Sequence, residues 1–399
     1  MVLDGTRWPA LGYETLAWET SPDALVPRRV RQRHRGSYSA ALVPSIGSIA
    51  ADLPSDLLAH AEGAATEVAR FDADAGHEIA PYASILLRSE SSASSKIENL
   101  TASAREVAEA ELGTGGRNAS LIVANQRAMT AAIALADRID AGAILEMHAA
   151  LLDTTQPEIT GRWRHDQVWI GGSDYGPHGA AFVPPHQRHM NTLIDDLVTF
   201  IQREDIPVLA HVALAHAQFE SIHPFPDGNG RTGRALMHAQ LRNKGLTRNV
   251  TVPVSAGLLT NIDAYFDALT AYRQGKPASI VERFADASFS AVDNGRQLVD
   301  ELRGIRDDWQ RRVPSRRDAN AWRIADLILR HPVVNAELIA TELEIAPQNT
   351  YRAIKPLVAA EVLVEFTNKK RDQLWRAPEV LDALDAFASR AGRRQRANI

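Results

Sequence analysis

The chain has 399 residues, of which 45% are hydrophobic and 23% charged, with a formal net charge of −5 and no cysteine. That length allows two or three domains, and the weak negative charge gives no overall attraction to nucleic acid or to a membrane surface. The absence of cysteine excludes disulfides, thiolate metal sites and cysteine nucleophiles, and it fits a cytoplasmic location. No apolar run is long enough to span a membrane and the first residues carry no apolar signal core, so we expect no membrane partner.

The first part of the chain is predicted to be largely helical. Residues 1–50 carry turn formers and a basic run from Arg28 to Arg35, which we interpret as a solvated face. From Leu53 to Asp137, alanine, leucine and glutamate predict helices, interrupted by a glycine-rich break at Gly113–Gly116.

The most informative stretch runs from His223 to Arg234 and reads His-Pro-Phe-Pro-Asp-Gly-Asn-Gly-Arg-Thr-Gly-Arg. Apolar residues before it predict a helix up to His223. Pro224 and Pro226 end that helix, because proline lacks an amide donor and fixes its backbone angle φ. A second helix is predicted from about Asn229 to Lys244.

This stretch has the parts of a site for phosphate groups. Gly228 and Gly230 can adopt positive φ and bring bare backbone close to a ligand, and Asn229 tolerates left-handed geometry. Phosphates would then meet unpaired amides at a helix N-terminus, where the macrodipole also favours anions. Arg231 and Arg234, three residues apart on one helical face, can clamp phosphoryl groups.

Two further side chains of the stretch supply chemistry. Asp227 offers one carboxylate, which suits a Mg²⁺ ion held mainly by substrate phosphates and water. His223, with an unperturbed pKa of about 6.5, is the natural proton acceptor near neutral pH. His211, His216 and His223 have no accompanying glutamate at the spacing of a His-Glu-x-x-His zinc site, so we expect His216 to be a hydrogen-bonded helix residue.

The segments on either side complete this region. Gln167–Gly172 and Ala181–Val183 predict a short strand pair with a glycine-rich connection. Residues 250–310 are predicted to be helical. Arg311–Asn320, which is rich in charge and contains Pro314, is the best candidate for a linker.

Residues 321–378 have the element order of a winged helix-turn-helix domain. Helices are predicted at Trp322–Arg330, Asn335–Leu343 and Pro347–Ala360, followed by strands at Val362–Phe366 and Gln373–Arg376 that flank the basic turn Asn368–Arg371. Asn335 is the expected N-cap of the second helix. Pro356 inside the third helix and a near balance of acidic and basic residues weaken the case for DNA binding, so DNA and a protein partner both stay open.

All eight specified positions of His223–Arg234 match the signature His-x-Phe-x-(Asp/Glu)-Gly-Asn-Gly-Arg-x-x-Arg, so the chain resembles the Fic (filamentation induced by cAMP) family. The resemblance covers about residues 1–295 and includes Gly161–Arg164 and Val168–Pro185. It implies a mainly α fold, a Fic helical bundle with a small β-hairpin flap, followed here by the winged helix. We therefore expect an N-terminal helical module at 1–120, a Fic catalytic domain at 121–310 and a winged-helix domain at 311–399.

The resemblance also implies an activity, which is transfer of AMP from ATP to a Ser, Thr or Tyr hydroxyl of a target protein. His223 would be the catalytic base and Asp227 the ligand for Mg²⁺. The flap at residues 168–185 would hold the target by strand addition. The implied nucleotide-binding residues are Glu98, Gly228, Asn229, Gly230, Arg231, Thr232, Gly233, Arg234 and Tyr265, the last of which belongs to an aromatic group with Phe266 and Tyr272 that resembles the border of an adenine pocket.

A second motif lies upstream, in the first helical region. Ser94-Ser95-Lys96-Ile97-Glu98-Asn99 fits the pattern (Ser/Thr)-x-x-x-Glu-(Gly/Asn), which is the inhibitory helix motif of many Fic proteins. The resemblance implies that Ser94, Glu98 and Asn99 form an inhibitory element in which Glu98 pairs with Arg234. An arginine held in this way cannot grip the γ-phosphate of ATP, so the enzyme would be autoinhibited.

Other functions stay open from the sequence alone. The same core can remove AMP from a target, with Glu98 activating water, or can transfer a phosphoryl or other nucleotide-linked group. A different class of function is a DNA-binding regulator, acting through residues 321–378, whose Fic core only senses nucleotide. The sequence specifies neither the target nor the oligomeric state, and a second copy of the chain is one candidate partner.

Overall fold

The computed structural model describes residues 8–18, 28–76, 81–316, 319–367 and 372–392. Over these residues the fold is mainly α, as predicted. The helices are α1 (Arg28–Arg33), α2 (Ser55–Gly76), α3 (Pro81–Ile97), α4 (Ala104–Glu111), α5 (Arg117–Ala134), α6 (Ala141–Leu152), α7 (Met190–Ile201), α8 (Val208–Ile222), α9 (Asn229–Asn243), α10 (Val254–Leu259), α11 (Ile262–Arg273), α12 (Ala278–Arg312), α13 (Asn320–Arg330), α14 (Ala336–Leu343), α15 (Pro347–Ala359) and α16 (Pro378–Ala391). The strands are β1 (Gly12–Trp18), β2 (Gly36–Leu42), β3 (Val333–Asn335), β4 (Val364–Glu365) and β5 (Leu374–Arg376).

The chain divides into two compact units, each assembled from separate stretches of sequence. The first unit contains residues up to Glu62, Ala131–Asn243 and Asp263–Phe284, and the second contains Gly63–Thr130, Lys244–Ile262 and the residues from Ala285 onward. The three contiguous domains expected from the sequence stay a prediction. Within the described ranges, no helix has both the length and the apolar character that crossing a membrane requires.

The first unit contains an antiparallel strand pair that we did not predict from the sequence. β1 pairs with β2 in a register that runs from Gly12 opposite Leu42 to Trp18 opposite Gly36. Serine, alanine and glycine dominate β2, so the sequence lacks the clear polar–apolar alternation by which a half-buried strand is recognised. In the basic run beside it, the arginines whose side chains are described are exposed, as expected: Arg29, Arg33 and Arg35.

Helix α8 forms the centre of the first unit. From Leu209 to Ile222 every one of its residues is buried, which is the pattern of a helix surrounded by others rather than one lying on a surface. It packs against α9, and Gly233 of α9 lies at the contact. A β-carbon at position 233 would come within 2.8 Å of Cδ1 of Phe219, so the missing side chain allows the two helices to approach closely.

Gly233→Ala should lower the free energy of unfolding by about 1–3 kcal/mol, because overpacking at the Phe219 ring outweighs the gain in helix propensity. Gly304→Ala is the matched control, since that helical glycine is exposed and an added β-carbon meets nothing within 4 Å. The control should raise the free energy of unfolding by about 0.5–1 kcal/mol. Denaturant melts of both variants test this, and equal effects would contradict the packing role of Gly233.

In the second unit, α3 packs against α10, α13 and α16. A buried ion pair fixes α4 beside it, because Nη2 of Arg88 donates to both carboxylate oxygens of Glu111, at 2.9 and 2.6 Å. α4 begins with a capping box, in which Ser103 accepts from the amide of Glu106 and the Glu106 carboxylate accepts from the amide of Ser103. The helical pattern and the glycine-rich break predicted before Asp137 are present, and a further break that was not predicted separates α3 from α4.

The helices and strands predicted for residues 321–378 are present, with one strand more than expected. α13, α14 and α15 are followed by β4 and β5, and the additional β3 completes a sheet of order β3-β5-β4. Asn335 caps α14 as predicted, accepting from the amide of Leu338 at 2.7 Å. α15 continues through Pro356, since its buried residues Ile354 and Leu357 hold it in place. The predicted basic turn, 368–371, lies outside the described residues.

Candidate active site

The site begins where α8 ends, at His223. This residue has φ 51° and ψ 63°, and its amide donates to the carbonyl of Phe219 at 2.8 Å. Left-handed geometry is unusual for a residue with a side chain, and the following Pro224 disfavours helical geometry here. Strained backbone of this kind occurs often at functional positions, and here it turns the chain out of α8 at the candidate base.

Phe225 and Asn229 hold the loop between α8 and α9 in shape. The side chain of Asn229 accepts from the amide of Phe225 and donates to its carbonyl, both at 2.8 Å. The fully buried ring of Phe225 stacks on His148 at 3.8 Å between centroids and on Trp163 at 5.0 Å. These contacts give the phenylalanine and asparagine of the motif a structural role that the sequence did not reveal.

His148, on α6, is a site residue that the sequence analysis missed. Its Nδ1 accepts from the amide of Gly161 at 3.0 Å, so its Nε2 carries the proton and donates to the carbonyl of Asp227 at 3.1 Å. Burial lowers the pKa of His148 to about 4, which keeps the ring neutral and in this tautomer at physiological pH. His148 therefore fixes the backbone of the residue predicted to bind metal.

Asp227 is half exposed at the start of α9. Its Oδ1 accepts from the amide of Gly228 at 2.6 Å, and its Oδ2 accepts from Nε2 of Gln156 at 2.8 Å and lies 3.6 Å from Nη2 of Arg231. A single oriented carboxylate at the mouth of an anion site fits Mg²⁺ held mainly by phosphates. Among the residues described, no cluster of three metal-binding side chains occurs.

The N-terminus of α9 has the geometry expected of a phosphate site. Gly228 has φ 78°, and a β-carbon there would lie 2.9 Å from Cδ2 of Leu151, so glycine is required for two reasons. The amides of Asn229 and Gly230 open the helix and have no partner within it, which suits them to bind an anion.

The remaining residues of the motif are buried within α9. Arg231 is 5% exposed and Arg234 1% exposed, so both guanidinium groups are largely shielded from water. Interactions with phosphate are stronger in such a shielded environment than in water. Thr232 is fully buried, and Gly233 packs against Phe219. Contact of Thr232 and Gly233 with nucleotide stays a prediction.

Charged groups surround the ring of His223. Its Nδ1 is buried, has no hydrogen-bond partner among the described residues and lies 4.0 Å from Oε2 of Glu220. Burial, followed by the positive charges of Arg164 and Arg273, lowers the pKa of His223 to about 3. The side chain is 19% exposed, which leaves a path for a substrate hydroxyl. His223 is therefore neutral at physiological pH and able to accept a proton.

The lowered pKa of His223 predicts the pH dependence of any reaction that uses this base. Because kcat/KM reports the free enzyme and the neutral ring is the active form, its acid limb should lie below pH 6.5. We expect kcat/KM for labelling by ATP to be unchanged between pH 8 and pH 6.5. An acid limb at or above pH 6.5 that disappears in a His223 variant would contradict this description of the ring.

Arg164 connects the loop between α8 and α9 to the predicted flap. Its Nε donates to the carbonyl of His223 at 2.9 Å, its Nη1 to that of Asp166 at 3.1 Å, and its Nη2 to that of Pro185. Within the flap, pairing is limited to two isolated bridges, Ile170 with Phe182 and Ser173 with Gly176, because glycine-rich turns interrupt both edges. The predicted strand pair is thus present in a shorter form.

Tyr265, predicted to contact the nucleotide, lies in the core of the first unit. It is 1% exposed and its hydroxyl is 2.8 Å from Nε2 of His216. The hydrogen bond confirms the expectation for His216, a buried helix residue with a polar partner. Phe266, the next residue, is instead 48% exposed. A role for Tyr265 at adenine stays a prediction.

Comparison with known families identifies this region. Residues 138–241 match the model of the Fic/DOC family. The chain contains a Fic domain. A Fic family protein from Desulfovibrio desulfuricans G20 has a similar fold, with a TM-score of 0.52 and 21% identity over 82% of this chain and 97% of that one. The structural similarity supports the helical fold.

Curated relatives resemble the Fic domain more closely in sequence. A protein of Aquifex aeolicus (strain VF5), named a probable protein adenylyltransferase, is 39% identical over 93 residues, or 21% of this chain and 29% of that protein. Protein adenylyltransferase fic-1 of Caenorhabditis elegans is 32% identical over 112 residues, or 27% of this chain and 20% of that protein. The chain spans less than a third of the length of these relatives.

The second sequence motif lies outside the Fic domain, at the end of α3. The amide of Leu100 donates to the carbonyl of Ser95 and that of Asn99 to the carbonyl of Lys96, both at 3.0 Å, which is a Schellman turn. Asn99 has φ 60°, which explains why the motif admits only glycine or asparagine there. Ser94 is buried and Glu98 is exposed.

Proposed function

We propose that the Fic domain transfers AMP from ATP to a Ser, Thr or Tyr hydroxyl of a protein and releases pyrophosphate. The observation that carries this proposal is the position of a neutral, accessible His223 at the start of a loop that leads into a phosphate-binding helix terminus. The names of the curated relatives support the same activity. ATP is therefore the proposed substrate.

The reaction requires one bond to form and one to break. The target hydroxyl oxygen attacks the α-phosphorus, the bond from that phosphorus to the oxygen bridging to the β-phosphate breaks, and pyrophosphate leaves. The hydroxyl proton moves to Nε2 of His223, because Nδ1 is buried toward Glu220. Amides at the start of α9 stabilise charge that develops on the phosphoryl oxygens, and Arg231 and Arg234 hold the β- and γ-phosphates.

Mg²⁺ is the proposed cofactor, since the oriented carboxylate of Asp227 fits an ion that phosphates hold. When bound, the ion neutralises phosphate charge and orients the leaving group. Asp227 contributes a fixed negative charge, positioned by the amide of Gly228 and by Gln156.

Asp227→Asn should reduce Mg²⁺-dependent labelling by at least about 100-fold, because the amide keeps the size of the side chain and removes its charge. We expect nucleotide-free wild-type protein to bind no metal tightly, since one carboxylate makes too small a site. Labelling rates across a Mg²⁺ titration measure the first effect, and calorimetric titration of the nucleotide-free protein with Mg²⁺ measures the second. Asp153→Asn, at an exposed acid that ends α6, is the control and should label as wild type. Full activity of Asp227→Asn at low Mg²⁺ would exclude this role.

The target is proposed to bind along the flap at residues 168–185 by strand addition. Ile170 is 37% exposed on this segment. Its bridge partner Phe182 stacks against Arg273, whose guanidinium carbon lies 3.7 Å from the ring centroid. A short, supported edge with an exposed apolar side chain suits an extended peptide.

Two further elements are proposed to regulate or direct the reaction. Glu98, at the end of α3, is proposed to restrain the enzyme through Arg234, as the motif at Ser94–Asn99 implies.

Residues 321–378 are proposed to form a winged helix, supported by their helices and the β3-β5-β4 sheet, and DNA or a protein is its candidate partner.

The experiment that tests the function is labelling of the full chain by ATP and Mg²⁺, followed by intact mass spectrometry. A mass increase of one adenylate on wild type or on Glu98→Gly supports AMP transfer. An increase of one phosphate shows phosphoryl transfer instead. No covalent change in either protein, together with a mobility shift of genomic DNA fragments, would identify a regulator that only senses nucleotide.

A further inference from the structure

A cavity of about 130 Å³ lies in the second unit, along one face of α3. The residues of α3 that line it have the spacing of a single helix face: Arg88, Ser89, Ser92, Ala93 and Lys96. A different face of the helix contacts α5, where Asn125 donates to the carbonyl of Ser91 and to Oγ of Ser95. The hydrogen bonds that join α3 to α5 therefore lie on a different face of α3 from the cavity.

The body of the cavity is apolar. Side chains from α3, α4, α5, α10 and α16 form its walls, among them Ala93, Val107, Ile122, Leu259, Leu384 and Phe387. Cavities of about 150 Å³ with such walls hold a benzene-sized molecule. The size and lining therefore suit a single substituted aromatic ring.

One end of the cavity has a hydroxyl that lacks a partner. Ser89 is 5% exposed, lines the cavity, and its Oγ makes no hydrogen bond within the described part of the chain. Ser91, two residues further along α3, instead donates to the carbonyl of Leu87 at 2.8 Å, as helical serines commonly do. A buried hydroxyl without a partner is destabilising, because it has lost its hydrogen bonds to water, and a polar group of a ligand would restore one.

The other end has a positive charge. Lys96 lines the cavity, and its Nζ lies 2.6 Å from the place of a β-carbon on Gly392, at the carboxyl end of α16. Among the described residues, no carboxylate pairs with this ammonium group. Lys96 is seven residues from Ser89, which is about 10.5 Å along the helix axis.

The other charged groups of the lining already have partners. Arg88 is bound by Glu111 and donates to the carbonyl of Arg330 at 2.8 Å. Asp385 accepts from the amide of Ala104 at 2.9 Å, at the N-terminus of α4. Lys96 is therefore the charge in this cavity that remains for a ligand, and it selects an anion.

We propose that this cavity binds a small aromatic carboxylate with a second polar group at the far end of its ring, of which 4-hydroxybenzoate is the simplest example. The carboxylate binds Lys96, the ring fills the apolar body, and the distal hydroxyl accepts from Oγ of Ser89. Leu100 and Thr101 also line the cavity, so a bound ligand contacts both sides of the turn that holds Glu98 and Asn99.

Calorimetric titration of the full chain with 4-hydroxybenzoate, benzoate and 4-hydroxybenzylamine tests the proposal. We expect saturable binding of 4-hydroxybenzoate at one site. Benzoate should bind about fivefold more weakly, since it lacks the group that pairs with Ser89. The amine should bind at least about tenfold more weakly, since Lys96 repels it. No saturable binding, or equal affinity for all three, would overturn the proposal.

Variants assign each end of the ligand. Lys96→Met should weaken both acids at least about tenfold. Ser89→Ala should weaken 4-hydroxybenzoate to the level of benzoate and leave benzoate unchanged, which a merely structural defect would not do. Ala388→Phe, at an exposed lining residue, should block both acids. Unchanged affinity in all three variants would show that the acids bind elsewhere.

Hydrogen exchange provides a measurement that does not depend on the proposed enzyme activity. Saturating 4-hydroxybenzoate should slow amide exchange in residues 96–102 of the wild type and leave exchange unchanged in Ala388→Phe. Slowed exchange in the blocked variant as well would count against the cavity as the site. Failure of AMP transfer in a separate assay would leave these results intact, because neither readout uses ATP.

Discussion

Replacing His223 with alanine should lower AMP transfer by about 10²–10⁴-fold and leave nucleotide affinity within a few-fold of wild type. A positioned general base typically contributes a rate factor of that size, while the phosphate-binding amides and arginines are unaffected by the change. Burial and two nearby guanidinium groups keep the ring neutral, so it can accept the hydroxyl proton. Rates of labelling by ATP and binding of a non-hydrolysable ATP analogue provide the two measurements.

His60→Ala is the matched control for His223→Ala, because it removes an exposed histidine from α2. It should label at the wild-type rate. Labelling by His223→Ala within about threefold of wild type would show that another group takes the proton. A large loss of nucleotide affinity in the same variant would instead indicate that the left-handed residue 223 shapes the phosphate loop.

Replacing Glu98 with glycine should raise self-labelling by at least about tenfold, which corresponds to about 1.4 kcal/mol in the barrier. Under the proposed autoinhibition, removal of the carboxylate frees Arg234 for the γ-phosphate, which then aligns the α-phosphate for in-line attack. Arg234 is 1% exposed, so a phosphate that replaces the glutamate would interact with it strongly. Initial rates of label incorporation measure the effect.

The double variant decides whether the gain acts through the arginine. Arg234→Ala combined with Glu98→Gly should lose the gain, because the released clamp is then absent. Glu98→Gln keeps the size of the side chain and should also activate, since the charge is the restraining group. Equal rates for wild type, Glu98→Gly and Glu98→Gln would exclude autoinhibition by Glu98. The proposed role of the loop between α8 and α9 would still stand.

Local patterns in the sequence predicted well where α8 ends and α9 begins. The proline after His223 and the glycines that follow determine where one helix ends and the next begins, because their backbone preferences act over a few residues. The end of α3 was not predicted, although Asn99 carried a signal for it, since asparagine tolerates the left-handed geometry found there. The family motif then assigned chemistry to these positions.

Contacts between residues distant in sequence could not be predicted. His148 supports Asp227 across 79 positions, and Arg164 binds the carbonyl of His223 across 59. A lone histidine on an apolar helix face gives no sign of its partner. Arg164 carried a weak signal, since it belongs to the segment Gly161–Arg164 that resembles the family, but no spacing rule links it to the loop.

Strands were the least predictable elements. β1 and β2 were missed because small and polar residues obscure their alternation, and because their stability comes from pairing with each other. The strand pair of the flap is shorter than predicted, since turns at Gly171, Gly172 and Gly179 adopt positive φ. Helix α15 is more regular than Pro356 suggested from the sequence. Packing of Ile354 and Leu357 sustains this helix despite the missing amide of the proline.

The central claim is that the Fic domain transfers AMP, and labelled ATP tests it most directly. Full-length Glu98→Gly should be incubated with Mg²⁺ and ATP carrying the radioactive label in the α-phosphate or, separately, in the γ-phosphate. We predict covalent label from the α-phosphate alone, at a rate that falls by about 10²–10⁴-fold when His223→Ala is added. Label from the γ-phosphate alone, or no label from either nucleotide, would contradict the proposed reaction.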